Sequence, residues 1–184
     1  MASWRHQGLR SGFEVVFIRR EPSGFQIDTT TTGLQDESAW VVRCQLKLDS
    51  VWRTRRARIQ TTSESGVTER VVQADGAGHW RIDGADAGHL NGCIDIDLES
   101  SAMTNALPVH RLGLAVGQQA DAPACYVRID GTIERLEQSY LRIQDAEMGQ
   151  RFDYEAPIFD FHCQMVYDKA GFVLEYPGIA VRAG

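Results

Sequence analysis

Polar and apolar residues alternate with a period of two along most of the chain, the pattern of half-buried β-strands. Residues 13–20 read as a strand that ends at Glu21-Pro22-Ser23-Gly24, a turn sequence. A second strand runs over 25–32 and closes on four β-branched threonines, Thr29 to Thr32. Over 39–48, Val42, Cys44, Leu46 and Leu48 fall on one side. Strands over 52–62 and 66–73 flank the hairpin sequence Ser63-Glu64-Ser65-Gly66. The stretch 75–92 carries the turn dipeptides Asp75-Gly76, Asp83-Gly84 and Asn91-Gly92, with His79-Trp80-Arg81-Ile82 as a short strand between the first two. Residues 93–99 alternate most cleanly: Ile94, Ile96 and Leu98 point one way, Asp95, Asp97 and Glu99 the other.

The pattern then changes. Residues 101–107 are helix formers, with Ser100 or Ser101 as the N-cap, and an uneven continuation to 112 has to contend with Pro108. Residues 132–144 fit neither period cleanly and stay open between helix and strand. Strands are expected over 151–156, 158–167 and 172–176, the last two joined by the hairpin turn Asp168-Lys169-Ala170-Gly171. A turn every 8–12 residues predicts an antiparallel sandwich, barrel or large curved sheet. No repeat, low-complexity tract or linker interrupts residues 1–184, which read as a single domain.

Composition narrows the function classes. The 184 residues are 43% apolar and 24% charged, ordinary for a globular domain and unlike a disordered or collagen-like chain. The net charge of −6 opposes nucleic-acid binding, which leans on a basic face. A local exception is the run 52–58, with four arginines. Read as a strand, it puts Arg56 and Arg58 on the face of Trp52, and Arg53 and Arg55 on the other. The expectation is a solvated face that blunts sheet pairing, with a phosphate contact as the alternative. Cys44, Cys93, Cys125 and Cys163 form no CxxC pair and have no histidine at zinc-finger spacing, so they read as free, buried thiols. No export signal opens the sequence and no run of 18 apolar residues occurs. The expected setting is therefore cytoplasmic, with no transmembrane segment.

The candidate chemistry is the acidic strand. Alternate residues on one strand face lie about 6.6–6.8 Å apart, so Asp95 with Asp97, or Asp97 with Glu99, can flank a small ligand. Such a spacing also suits the carboxylate pair of an inverting glycosidase, at roughly 6.5–9.5 Å. A strand with one wet face explains the same alternation, and burial decides between the readings. The five histidines form no metal-ligand pattern, and no phosphate loop, dinucleotide fingerprint or nucleophile elbow appears, so no metal and no cofactor are expected. Trp80 and the tyrosines are the aromatic groups able to stack on a sugar or an acyl chain.

Two blocks carry a family resemblance. One runs from Gly92-Cys93-Ile94-Asp95-Ile96-Asp97-Leu98-Glu99 through Thr104-Asn105-Ala106-Leu107-Pro108 to Leu112. The other joins Phe152-Asp153-Tyr154-Glu155 and residues 159–167 to the closing Tyr176-Pro177-Gly178. With Gln138-Ser139-Tyr140 and the His79-Trp80 strand, they resemble the bacterial putative glycolipid-binding family over most of the chain. The sequence departs from that pattern at Ser101-Ala102-Met103, where relatives often have Thr-Pro-Phe. The resemblance implies a mainly β fold: a large curved antiparallel sheet wrapped around a single α-helix, distantly similar to lipoprotein localisation factors. It implies a homodimer, and a glycolipid or other sugar-containing amphiphile as partner, bound in an acidic pocket on the concave face of the sheet. The residues assigned to that pocket are Asp95, Asp97 and Glu99 as acceptors, Asn105 and Arg111 as closing groups, and Trp80, Tyr140, Tyr154 and Tyr176 as stacking platforms. A binding protein without catalysis is the first reading. A carboxylate-dependent enzyme of glycolipid or carbohydrate metabolism, and a dimeric interaction protein with no small ligand, are the alternatives.

Overall fold

The computed structural model describes residues 1–8, 10–147 and 149–184. The first half of the chain is a meander of eight strands: Ala2–His6 (β1), Ser11–Glu21 (β2), Gly24–Gln35 (β3), Ser38–Asp49 (β4), Thr54–Ser63 (β5), Gly66–Ala74 (β6), Trp80–Ile82 (β7) and Ala85–Asp86 (β8). Then come Asp95–Leu98 (β9), the helix Ala106–Leu112 (α1), Gln119–Asp121 (β10), Ala124–Val127 (β11) and Ile133–Leu136 (β12). A second meander closes the chain: Ser139–Ala146 (β13), Gly149–Ala156 (β14), Phe161–Tyr167 (β15), Val173–Tyr176 (β16) and Ala180–Arg182 (β17).

The two meanders form one 14-stranded sheet in the order β10-β13-β14-β15-β16-β17-β1-β2-β3-β4-β5-β6-β7-β8. Its seam is the antiparallel pair of the two chain ends, with Trp4 opposite Arg182 and His6 opposite Ala180. All of its pairings are antiparallel and it does not close into a barrel. The expected large antiparallel sheet with one α-helix is therefore what the chain forms.

A second, three-stranded sheet, β12-β11-β9, accompanies it, and there β9 and β11 run parallel, with Asp97 opposite Tyr126. A parallel pair needs a long crossover, and the segment holding α1 and β10 provides it. All four residues of β9 and of β11 are buried, as expected of parallel strands covered on both faces. The wet-face reading of the acidic strand is thereby excluded: Asp95 is 0% and Asp97 6% exposed. One hydrophobic cluster joins the inner face of the large sheet (Val16, Ile27, Leu46), the helix (Leu107, Val109) and the small sheet (Ile96, Cys125). Val42, Cys44, Leu46 and Leu48 all point into it, as their alternation predicts.

Several local expectations are corrected. The helical segment starts as a 3-10 turn at Met103–Asn105 and becomes α-helical only at Ala106. Pro108 then falls in the first turn of α1, where a missing N–H is tolerated. Neither Ser100 nor Ser101 caps it: the 3-10 turn begins after Ala102, and no side chain of the segment itself supplies the cap. Residues 132–144 form parts of two strands and no helix. The strand expected over 158–167 starts only at Phe161, because Pro157–Phe159 makes a 3-10 turn. Trp52 does not share a face with Arg56 and Arg58. It lies before β5 at a φ of 67° and stacks on the His110 ring at 3.7 Å. Pairing jumps from Lys47–Arg56 to Leu48–Thr54, so Arg55 bulges out and Arg55 and Arg56 are both exposed.

Candidate functional site

The acidic strand ends in a cleft of about 350 Å³ between the small sheet and the β14–β16 region of the large one. β9 places Asp97 there, and Glu99 follows it past the strand end. The neighbouring parallel strand brings Tyr126 beside Asp97, with Arg128 two residues on. The opposite wall is aromatic: Tyr154 from β14, Phe159 from the 3-10 turn, Phe161 from β15 and Tyr176 from β16. Leu136 and Ile179 extend the apolar surface, and Ser101, Asn105 and Arg10 complete the polar one.

The carboxylates differ in what holds them. The Thr104 hydroxyl donates to Asp97 Oδ1 at 2.6 Å and itself accepts the Leu98 N–H at 3.2 Å. Burial pushes the Asp97 carboxyl up to about 7, with the neighbouring Asp95 charge adding to the shift. Glu99 is half-buried, and its Oε2 accepts the Ile129 N–H at 3.0 Å. Arg128 donates from Nε to Glu134 at 2.7 Å, and its guanidinium lies over the rings of Tyr126 and Phe159 at 5.6 and 5.7 Å. Arg10 Nη1 is enclosed with no acceptor among the described residues.

Of the nine residues assigned in sequence, Asp97, Glu99, Asn105, Tyr154 and Tyr176 line this cleft. The other four do not. Arg111 grips Asp95 with two donors, Nη2 to Oδ2 at 2.6 Å and Nε to Oδ1 at 3.0 Å, so both groups are consumed by one buried ion pair. Trp80 is 1% exposed and donates its indole N–H to the Cys93 carbonyl at 2.8 Å, a core role. Tyr140 stands behind the lining, where its hydroxyl donates to Asn105 Oδ1 at 2.9 Å and so orients that side chain. Sequence reasoning missed Tyr126, Arg128, Arg10, Phe159 and Phe161. The period-two spacing of Tyr126 and Arg128 was a usable signal. Nothing in the linear order of Arg10 and Phe159 joins them to a site at residue 97.

Among the described residues, no group of three or more His, Cys, Asp and Glu side chains converges to hold a metal ion. No helix among them is long and apolar enough to cross a membrane. The arrangement can accept hydrogen bonds through carboxylates, and it offers aromatic faces to a ring or a chain.

Comparison with known proteins agrees with this architecture. A search of curated proteins returns no match. The chain is similar to a solved structure from Pseudomonas aeruginosa, described as a DUF1089 family protein, with 30% identity, a TM-score of 0.81 and 92% of each chain covered. The model of the family described as "Putative glycolipid-binding" matches residues 1–182, and the chain belongs to that family.

Proposed function

We propose that the protein binds a sugar-containing amphiphile, a glycolipid in chemical class, and that the cleft between the two sheets is its seat. The observation that carries this reading is the pairing of an aromatic wall (Tyr126, Tyr154, Phe161, Tyr176) with an acidic border (Asp97, Glu99) in one open cleft. Aromatic rings bury much area at low entropic cost, and carboxylates accept hydroxyl donors; both properties suit a ligand with an apolar and a hydroxylated end. Family membership supports the ligand class.

The test is native mass spectrometry of the purified protein, with extraction of whatever it retains, followed by calorimetric titration with n-octyl glucoside below its micellar concentration. A retained sugar-bearing amphiphile, or saturable binding of the probe that Tyr176→Ala weakens, supports the reading. A bare mass together with no heat of binding overturns it.

A second reading is favoured by Asp97 itself. A buried carboxyl raised to about 7, with Glu99 on the same cleft, provides an acid and a second carboxylate for hydrolysis of a glycosidic bond. Turnover of an aryl glycoside with a bell-shaped pH profile, lost in Asp97→Asn, would establish it; no turnover by the wild type sinks it.

A further inference from the structure

A second cavity, of about 610 Å³, adjoins the cleft and shares two of its residues, Glu99 and Arg128. Three chain segments converge around it: the tip of the β3–β4 hairpin (Asp36, Ser38), the tip of the β5–β6 hairpin (Glu64, Ser65), and residues 128–130 after β11. The two spaces differ in character. The cleft is walled mainly by rings and aliphatic groups, whereas most side chains around its neighbour are polar, with Ala39, Trp40 and Ile129 among them.

Their hydrogen bonds differ as well. In the cleft several of the polar side chains are already engaged by the protein. Thr104 serves Asp97, Tyr140 serves Asn105, Glu14 takes the Ser101 hydroxyl, and Gln138 takes the Tyr154 hydroxyl. A sugar placed deep in the cleft would surrender its water bonds against a wall made mainly of rings and aliphatic groups, whereas an alkyl chain gains free energy there by burial alone. In the second cavity Asp36, Ser38, Glu64 and Ser65 all stand exposed on hairpin tips; the Ser65 hydroxyl shares a hydrogen bond with Ser63 at 2.8 Å, and the side chains of Asp36, Ser38 and Glu64 have no hydrogen-bond partner among the described residues.

We infer that the cleft and the second cavity are one binding groove, which takes the apolar part of an amphiphile in the cleft and its hydroxyl-rich head between the two hairpin tips. The ligand crosses from one space to the other over Glu99 and Arg128. This rests on the cleft being the ligand seat, and it adds the direction in which the ligand lies.

Calorimetric titration with 1-octanol, n-octyl glucoside and n-octyl maltoside, each below its aggregation limit, tests the direction. The maltoside should bind roughly five- to tenfold more tightly than the glucoside, because its second ring reaches the hairpin tips and gains one or two hydrogen bonds. Ser65→Trp, an exposed position where a large side chain does not disturb the core, should erase that gain and leave octanol binding unchanged; Glu64→Ala should reduce it. Equal affinities for glucoside and maltoside in the wild type would overturn the inference. So would displacement of octanol by free maltose, which would put the sugar in the cleft. If none of the three octyl probes binds, the reading of the cleft as ligand seat fails, and the inference falls with it.

Discussion

Glu14 on β2 accepts the backbone N–H of Ala102 at 2.8 Å and thereby caps a helical segment 88 residues away. The same carboxylate takes the Ser101 hydroxyl, the Met103 N–H at 3.4 Å and the Thr29 hydroxyl at 3.1 Å, and it is fully buried. This cross-chain cap fixes the turn that carries Ser101 and Asn105 into the cleft. Replacing Glu14 by Ala leaves several buried donors without an acceptor, at about 1–3 kcal/mol each before relaxation. Urea denaturation of Glu14→Ala should show a loss of about 3 kcal/mol or more, with Glu14→Gln losing less. Stability unchanged in Glu14→Ala would mean that the turn holds itself.

Asp97 makes stability depend on pH in a defined direction. Its folded pKa of about 7 lies above the 3.8 of a free aspartate, so the native state binds the proton more tightly than the unfolded chain. The stabilising contribution is complete below about pH 4 and is lost as pH rises through 7. Buried His6, lowered to about 4, acts in the opposite sense over part of this window, so the comparison must be a difference between variants. Relative to wild type, Asp97→Asn should lose less stability between pH 4 and pH 8. Parallel stability curves for the two proteins would show that Asp97 ionises freely.

The Asp95–Arg111 pair is structural, and its two halves are unequal. Arg111→Met leaves a buried carboxylate without a counter-charge, and removing one partner of such a pair costs about 3–5 kcal/mol. The double variant Asp95→Leu, Arg111→Met removes both charges and should recover most of that loss. Thermal melts of the three proteins measure this directly. A double variant no more stable than the single one contradicts the assignment.

Arg10 and His6 are coupled through charge. Both ring nitrogens of His6 are buried without partners among the described residues, and burial followed by the Arg10 charge depresses its pKa to about 4. Removing the charge in Arg10→Met should move the His6 titration upward, while burial keeps it below the usual 6.5. Proton NMR of the His6 ring across pH 3–8 reads the shift. An unmoved midpoint would place Arg10 too far away to act.

Much of the fold was open to a reading of the linear sequence. Strand alternation and Asp-Gly or Pro-Ser-Gly turns are consequences of local geometry, since side chains on a strand switch face at every residue and tight turns need particular backbone angles. For that reason 39–48 and 66–73 and their turns emerged with nearly their true limits. The acidic strand also announced itself, and with it Asp97 and Glu99. Other features were settled by contacts between distant residues. The strands at the two chain ends are too short to be recognised alone and are held by pairing with each other and with β2 and β16. The parallel partner of β9 lies beyond a crossover, and only that pairing turns Asp97 toward Tyr126 and leaves Asp95 to Arg111. Alternation put Asp95 and Asp97 on one face as equals. Their different roles follow from which side chains the fold sets against each: a guanidinium against one, a threonine hydroxyl and an open cleft against the other. Pattern along a chain reports which residues are buried together, but the partner of a buried charge is chosen in three dimensions.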